Sequence, residues 1–469
     1  MSYEPTLESL QSHQVPAWYH DAKLGIFVHW GTYSVPGWAP LSGHIGALVA
    51  KEGWEAVFGK NPYAEWYANT LKFDGSPTQH YHEATYGADF PYAAFAPLFN
   101  EAVQAWDPEA WAGLFAQAGA RYVVLTSKHH EGFCLWPTST PCPRKVGYFS
   151  SRDLVGELAD AVRGRGLRMG IYYSGGLDWA FNEARIQGMS DLFTTVVQEP
   201  EYVAYADGHW RELIDRYRPS LLWNDIGYPA AANLLDLFAY YYSLVPDGVI
   251  NDRFPQAPQL EEGVELSLAE LQDRIVTPHR DFVTPEYRSF GEIREEKWEC
   301  CRAVGFSFAY NRNEGEGQYA SVQSLVHMLA DVVSKNGNLL LGVGPTADGT
   351  IPPTQQQRLL GLGQWLATNG EAIFGTRPWV RPEGETRQGL GLRFTRGDGN
   401  LYATLLGMPS GSQVSIRGLQ ADPAAEVQLL GGSGPLSWGQ DGPDLVLTLP
   451  GDLPESPAHC LKITPAPRG

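Results

Sequence analysis

The feature that most constrains this chain is a recurrence. Between Leu24 and Val343, short apolar runs rich in β-branched and aromatic residues alternate with stretches of helical periodicity. Apolar runs of strand length read as strands buried on both faces, and parallel strands of that kind need a crossover, usually a helix, between them. Eight runs qualify, at residues 24–30, 121–127, 168–173, 220–223, 249–252, 281–284, 305–310 and 338–343. They predict an α/β fold, a (β/α)8 TIM-like barrel, irregular because the link from the fifth run to the seventh is poor in helical pattern. The helices carry their own punctuation. Asp107 and Pro108 form an N-cap and first-turn pair, Trp111, Leu114, Phe115 and Ala118 share a face, and Gly119 can end the helix. A helix from Ser151 turns Leu154, Val155, Leu158, Ala161 and Val162 inward, and another keeps Val322, Leu325, Val326, Leu329 and Val333 on one side before Gly337. The Gly-, Pro- and aromatic-rich stretch 36–107 reads as loops and short helices at the barrel mouth.

After a helix over 353–370 the period changes from helical to alternating, as in Leu392 and Phe394, Val414 and Ile416, and Leu445, Leu447 and Leu449, with a turn at Asp398-Gly399. Residues 1–376 are therefore expected to form the barrel and 377–469 a C-terminal β-sandwich. No internal repeat is visible. Composition narrows the partners. With 43% hydrophobic and 19% charged residues the chain can build a large core, and its net charge of -19 repels phosphate backbones and anionic lipid, which argues against nucleic acid and membranes. No stretch approaches the ~20 apolar residues of a spanning helix, and the polar first 25 residues show no secretion signal. Five cysteines, an odd number without metal-binding spacing, fit a reducing cytoplasm.

In a parallel barrel the residues just past the strand C-termini surround the active site. Here those ends read His29-Trp30-Gly31, Lys128-His129-His130, Tyr172-Tyr173-Ser174, Trp223-Asn224-Asp225 and Asn251-Asp252-Arg253, with Glu286 and Tyr287 beyond. A lone strand-end histidine is ordinarily satisfied within the core. So many polar ends together would each need a buried partner, which packing alone does not supply. One reading makes His29, His129, His130 and Asp225 ligands of a metal such as zinc or iron. Against it, the first strand offers a single His followed by Trp, and adjacent His129 and His130 are expected to point to different sides of a strand. The other reading is sugar chemistry, in which imidazoles and an indole hold ring hydroxyls and two carboxyls carry out displacement and proton transfer. It needs no metal or cofactor. It also uses the aromatic surplus of 15 Trp, 23 Tyr and 19 Phe, since aromatic faces pack on the C–H faces of sugar rings.

The runs LGIFVHWGTYSVPGW, NPYAEWY, AGARYVVLTSKHHEGFCLWP, RDLVGEL, GIYYSGGLDW, LLWNDIGYP, NDRF, NRNEG and DVVSKNGNLLLGVGP, in that order from about Trp18 to Trp379, resemble the retaining α-L-fucosidases of glycoside hydrolase family 29. The resemblance implies an exo-acting glycosidase that releases terminal α-L-fucose from fucosylated oligosaccharides or glycoconjugates through a covalent intermediate. It makes Asp225 the nucleophile and places His29, Glu65, Trp66, His129, His130, Tyr172, Trp223 and Arg253 around the sugar. For the acid/base the match of TPEY favours Glu286, with Glu65 the alternative. Glu131 stands where the family usually has Asp, and the segment 138–151 lacks runs that many members show. The residues leave open a sugar-binding protein with little turnover, an exo-glycosidase or transglycosylase of other specificity, and a homo-oligomeric assembly.

Overall fold

The computed structural model describes residues 3–256 and 277–467. Its centre is a parallel sheet of seven strands, β1 (Leu24–Val28), β2 (Tyr122–Lys128), β3 (Arg168–Ser174), β4 (Leu221–Asp225), β5 (Val249–Ile250), β6 (Trp298–Ala303) and β7 (Gly337–Val343), in the order β5-β4-β3-β2-β1-β7-β6. The gap between β5 and β6 is spanned by residues 281–286, through single parallel bridges from Phe282 to Asn251, Val283 to Trp298 and Glu286 to Cys301. The sheet thus curls into a barrel whose remaining stave is an irregular segment.

Strand alternation sorts the side chains into two cores. Phe27, Val124, Tyr172, Trp223, Phe282, Cys301 and Leu340 cluster inside the barrel. Their neighbours Ile26, Val28, Val123, Leu125, Ile171, Tyr173, Leu222, Leu339 and Leu341 pack outward against the helices Pro108–Gln117, Leu154–Gly164, Pro200–Tyr217, Leu234–Leu244, Val322–Ser334 and Pro353–Asn369. Those helices start at side-chain caps where the sequence allows: Asp107, Asp153 and Ser321 accept from Glu109, Gly156 and Ser324 amides. The second begins at Leu154, three residues after the expected Ser151, because Asp153 is the capping residue. Gly25 is needed for close approach, since a Cβ there would lie 2.4 Å from the Tyr122 ring.

Two strand expectations are corrected. Residues 305–310 form no strand; the stave is Trp298–Ala303, whose buried Glu299 and half-buried Arg302 break the apolar pattern. Residues 281–284 pair through isolated bridges and not as a regular strand. Part of the helix-poor link, 257–276, lies outside the described residues.

From Arg377 the chain is antiparallel. β8 (Arg377–Glu385), β9 (Gly391–Gly397), β10 (Asn400–Leu405), β12 (Glu426–Leu429) and β15 (His459–Thr464) form one sheet, and β11 (Gln413–Ile416), β13 (Trp438–Asp441) and β14 (Asp444–Thr448) a second. Leu392, Phe394, Val414, Ile416, Leu445 and Leu447 share the core between them. The β9–β10 hairpin turns at Asp398 (φ 49°) and Gly399 (φ 78°), the pair of positive angles a tight two-residue hairpin requires. This unit docks on the last barrel helix, where Trp365 Nε1 donates to the Ala458 carbonyl at 2.9 Å. Among the described residues no helix is long and apolar enough to cross a membrane.

Candidate active site

A 730 Å³ pocket opens at the C-terminal ends of the barrel strands, and all ten residues singled out from the sequence line it: His29, Glu65, Trp66, His129, His130, Tyr172, Trp223, Asp225, Arg253 and Glu286. Alternation explains several of them. His29 follows inward-facing Phe27 by two residues, and Asp225 follows inward-facing Trp223 by two, so each continues its strand's inner face into the pocket. β2 departs from that rule. Its register against β3 shifts between Thr126 and Lys128, a bulge that turns Lys128 outward, where its ammonium meets Asp178 Oδ2 at 2.6 Å and the Tyr173 ring at 4.4 Å. The strand then ends, and both following histidines enter the pocket with ring centroids 4.0 Å apart. The expectation that they point to different sides is overturned by this bulge.

Asp225 is held on both oxygens. Tyr172 Oη donates to Oδ2 at 2.8 Å, while Arg253 Nη1 and the Ile226 amide each donate to Oδ1 at 3.0 Å. Ile226 takes a left-handed backbone (φ 47°), costly for a β-branched residue. Arg253 is itself fixed, with Nε donating to Thr284 Oγ1 at 2.8 Å and Nη2 to the Thr284 carbonyl at 3.1 Å. The same guanidinium comes within 3.5 Å of Glu286 Oε2, so one cation stands beside both carboxyls. Glu286 Oε1 accepts from Tyr63 Oη at 3.0 Å. Burial raises the Glu286 pKa; Arg253 opposes the shift and the Asp225 charge adds to it, leaving a net rise.

Glu65 is buried, accepts from the Ala309 amide at 3.0 Å and Ser307 Oγ at 3.2 Å, and has its pKa raised by burial against the opposing pull of His129. Burial, aided by His129, pushes the His29 pKa well below the ordinary imidazole value. His130 is pushed down the same way, by burial and then by His129, Lys128 and His29. The Ser174 hydroxyl donates to the Leu177 carbonyl at 2.6 Å, so it must accept from His130 Nδ1 at 2.6 Å. That assignment leaves His130 Nε2 unprotonated in the neutral ring, an acceptor for a ligand hydroxyl. Beneath the pocket Trp223 Nε1 donates to buried Glu299 at 3.0 Å, which also accepts from Tyr19 and Tyr122. Apolar walls come from Phe27 and Phe308, and the rim from Ile45, Trp54, Met189, Leu192 and Ile226.

Several of these lining residues have no reactive-group signal in the sequence. Tyr63 stands inside the NPYAEWY run, two residues before Glu65, and could have been found there; Phe308 lies in the segment misread as a strand. The described residues include one group of three side chains close enough to share a metal ion, His13, His279 and Asp281, and it lies outside the pocket. Its atoms are already engaged: His13 Nδ1 with Asp281 Oδ1 at 2.9 Å, and Asp281 Oδ2 with Tyr242 Oη and the Ile250 amide.

A parallel barrel whose strand ends gather carboxyls, imidazoles and aromatic walls in one pocket has the layout of a glycoside hydrolase. The comparisons agree. The alpha-L-fucosidase family model matches residues 1–371. The tissue alpha-L-fucosidase of Rattus norvegicus is 33% identical over 98% of this chain and 92% of its own length. The crystal structure of Thermotoga maritima alpha-fucosidase in complex with a mechanism based inhibitor is similar at 44% identity and a TM-score of 0.86, covering 98% of this chain and 99% of that one. A third structure, alpha-L-fucosidase isoenzyme 1 from Paenibacillus thiaminolyticus, shares the fold at 24% identity and a TM-score of 0.70, covering 95% and 97%. The chain belongs to the alpha-L-fucosidase family.

Proposed function

We propose that the protein releases terminal α-L-fucose from fucosylated oligosaccharides or glycoconjugates by a retaining double displacement. The observation that carries this reading is Asp225, hydrogen-bonded on both oxygens by Tyr172, Arg253 and Ile226 and facing the same pocket as Glu286. Those donors fix the orientation of the Asp225 carboxylate toward the pocket. Asp225 attacks C1, the C1–O bond breaks, and Glu286 gives its proton to the departing oxygen, leaving a β-linked fucosyl ester. Glu286, now a carboxylate beside Arg253, takes a proton from water, which attacks C1 and restores the α-anomer and free Asp225. His29, His129, His130, Glu65 and Trp66 receive the hydroxyls, and Phe27, Phe308 and Trp223 face the C5 methyl. Membership of the fucosidase family and the guanidinium shared by both carboxyls support this division of labour.

Residues 1–376 would be the catalytic unit and 377–469 an appended β-sandwich. The five cysteines, all free and buried, fit a reducing cytoplasm. The test is a screen of purified protein against aryl glycosides of α-L-fucose, β-D-galactose and α-L-arabinose. Cleavage of the α-L-fucoside, first yielding the α-anomer, is expected. Cleavage of another sugar alone would overturn the substrate, and saturable fucose binding without turnover would favour a sugar-binding protein.

A further inference from the structure

Three side chains outside the pocket meet in a way that leaves one proton position in question. His13 lies in the segment between the helices Leu7–Gln11 and Ala17–Ala22, while His279 and Asp281 stand at the start of the irregular stave that carries Thr284 and Glu286. Their side chains are 2%, 7% and 2% exposed. His13 Nε2 lies 3.3 Å from the Pro246 carbonyl, which can only accept, so that nitrogen holds a proton. His13 Nδ1 then faces a second acceptor, Asp281 Oδ1, at 2.9 Å. The space between them holds either a second proton, which makes the ring a buried imidazolium, or a metal cation, for which both atoms are ligands.

The outer hydrogen bonds are those that orient metal ligands. Asp281 Oδ2 accepts from Tyr242 Oη at 2.6 Å and from the Ile250 amide at 2.7 Å, which leaves Oδ1 facing the two histidines. The His13 ring is stacked on Tyr242, with centroids 4.0 Å apart. His279 Nε2 lies 3.9 Å from Asp281 Oδ1, and the three inner atoms all fall within 4.8 Å of one another. With bonds of about 2.0–2.2 Å, neighbouring ligands of a tetrahedral zinc stand ~3.4 Å apart, which lies between the two histidine distances to Oδ1.

We propose that His13 Nδ1, Asp281 Oδ1 and His279 Nε2 bind one zinc ion, with water as the fourth ligand, as a structural clamp between the N-terminal segment and the irregular stave. Two imidazoles and one carboxylate suit zinc over magnesium or calcium, which take oxygen ligands. The ion displaces the proton between His13 and Asp281, which leaves to solvent. It takes His279 as the tautomer protonated on Nδ1, in place of the 2.8 Å contact of Nε2 with Tyr242 Oη. Because the cluster lies outside the pocket, the ion holds the fold and is no reactant.

The experiment takes the tag-free full chain, stripped with chelator and titrated with zinc chloride, as wild type, His13→Gln, His279→Gln and a control, His80→Gln, at an exposed histidine. Wild type and His80→Gln should bind one zinc per chain with a Kd at or below ~1 µM and unfold at a higher temperature with zinc than without. His13→Gln and His279→Gln should each weaken that binding by about 100-fold or more and lose the thermal shift. Anomalous diffraction at the zinc edge from wild-type crystals needs no variant, and it should place the ion on His13, His279 and Asp281. The proposal is overturned if wild type takes up no stoichiometric zinc, if the ion sits elsewhere, the pocket histidines included, or if both variants fold and keep wild-type affinity.

Discussion

Replacing Glu286 with alanine separates proton transfer from every other contribution of the pocket. Burial and the Asp225 charge raise its pKa more than Arg253 lowers it, so the side chain stays a neutral acid above the ordinary carboxylate range. Glu286→Ala leaves Asp225 with Tyr172, Arg253 and Ile226 as donors. The loss is then mainly that of general acid catalysis, about 10²–10⁴-fold in rate, which corresponds to about 3–5 kcal/mol. It should fall on fucosides whose leaving groups need a proton, such as sugars and alkyl alcohols. Dinitrophenyl fucosides should pass the first step with little loss, then accumulate the fucosyl ester because nothing activates water, giving a pre-steady-state burst. Azide needs no base, so it should relieve the block and yield α-fucosyl azide. The alkaline limb of the wild-type pH profile, which reports the loss of this proton, should disappear in the variant. Equal slowing of every leaving group, with no α-azide, would refute the reasoning and move the test to Glu65.

Asp225→Gly should nearly abolish turnover while keeping the fold, and azide entering the vacated space should give the opposite anomer, β-fucosyl azide; near-normal hydrolysis would contradict this. Lys128→Met should cost about 3–5 kcal/mol of unfolding free energy, read by denaturant titration, because it strands Asp178 as a buried charge. Lys128→Met with Asp178→Asn should recover most of that, and a single-variant loss below about 1 kcal/mol would exclude a buried ion pair. Glu299, pushed up to about 7 by burial against a usual 4.5, ionises later in the folded than in the unfolded chain. Its contribution to stability is therefore full below pH 4.5 and is lost as pH rises toward 7. Glu299→Gln should gain on wild type by up to ~3 kcal/mol across that window, and a flat difference would refute the shift.

The parts of the molecule legible in the sequence are those that depend on local pattern. The inner face of β1 carries Phe27 and then His29, and that of β4 carries Trp223 and then Asp225, so a period of two plus the rule that barrel sites lie past strand ends suffices to find them. The pocket position of His129 beside His130 is not legible that way. It depends on a register shift in β2, at which Lys128 meets Asp178 fifty positions away. The β6 stave escapes for a similar reason. Its Glu299 is tolerable inside the barrel only because Tyr19, Tyr122 and Trp223, from three distant segments, converge on its carboxyl. A charged residue in a strand reads as a break until those partners are known. The segment 305–310 fails in the opposite direction: its Phe306, Phe308 and Tyr310 look like an alternating strand, yet Phe308 faces the pocket and the Phe306 and Ser307 amides serve Glu314. Trp54 and Leu192 lie in loops and short helices, where no period indicates which side faces a ligand.

The central claim is that Asp225, at the end of β4, becomes covalently bonded to fucose C1. Its most direct test is to inactivate the protein with 2-deoxy-2-fluoro-α-L-fucosyl fluoride, whose fluorine slows breakdown of the ester, and to locate the added mass in a proteolytic digest. The account predicts one fluorofucosyl group per chain, carried on the peptide containing LLWNDIGYP and fragmenting to Asp225. A label on any other residue, or complete and active-site-directed inactivation with no covalent mass, would contradict it.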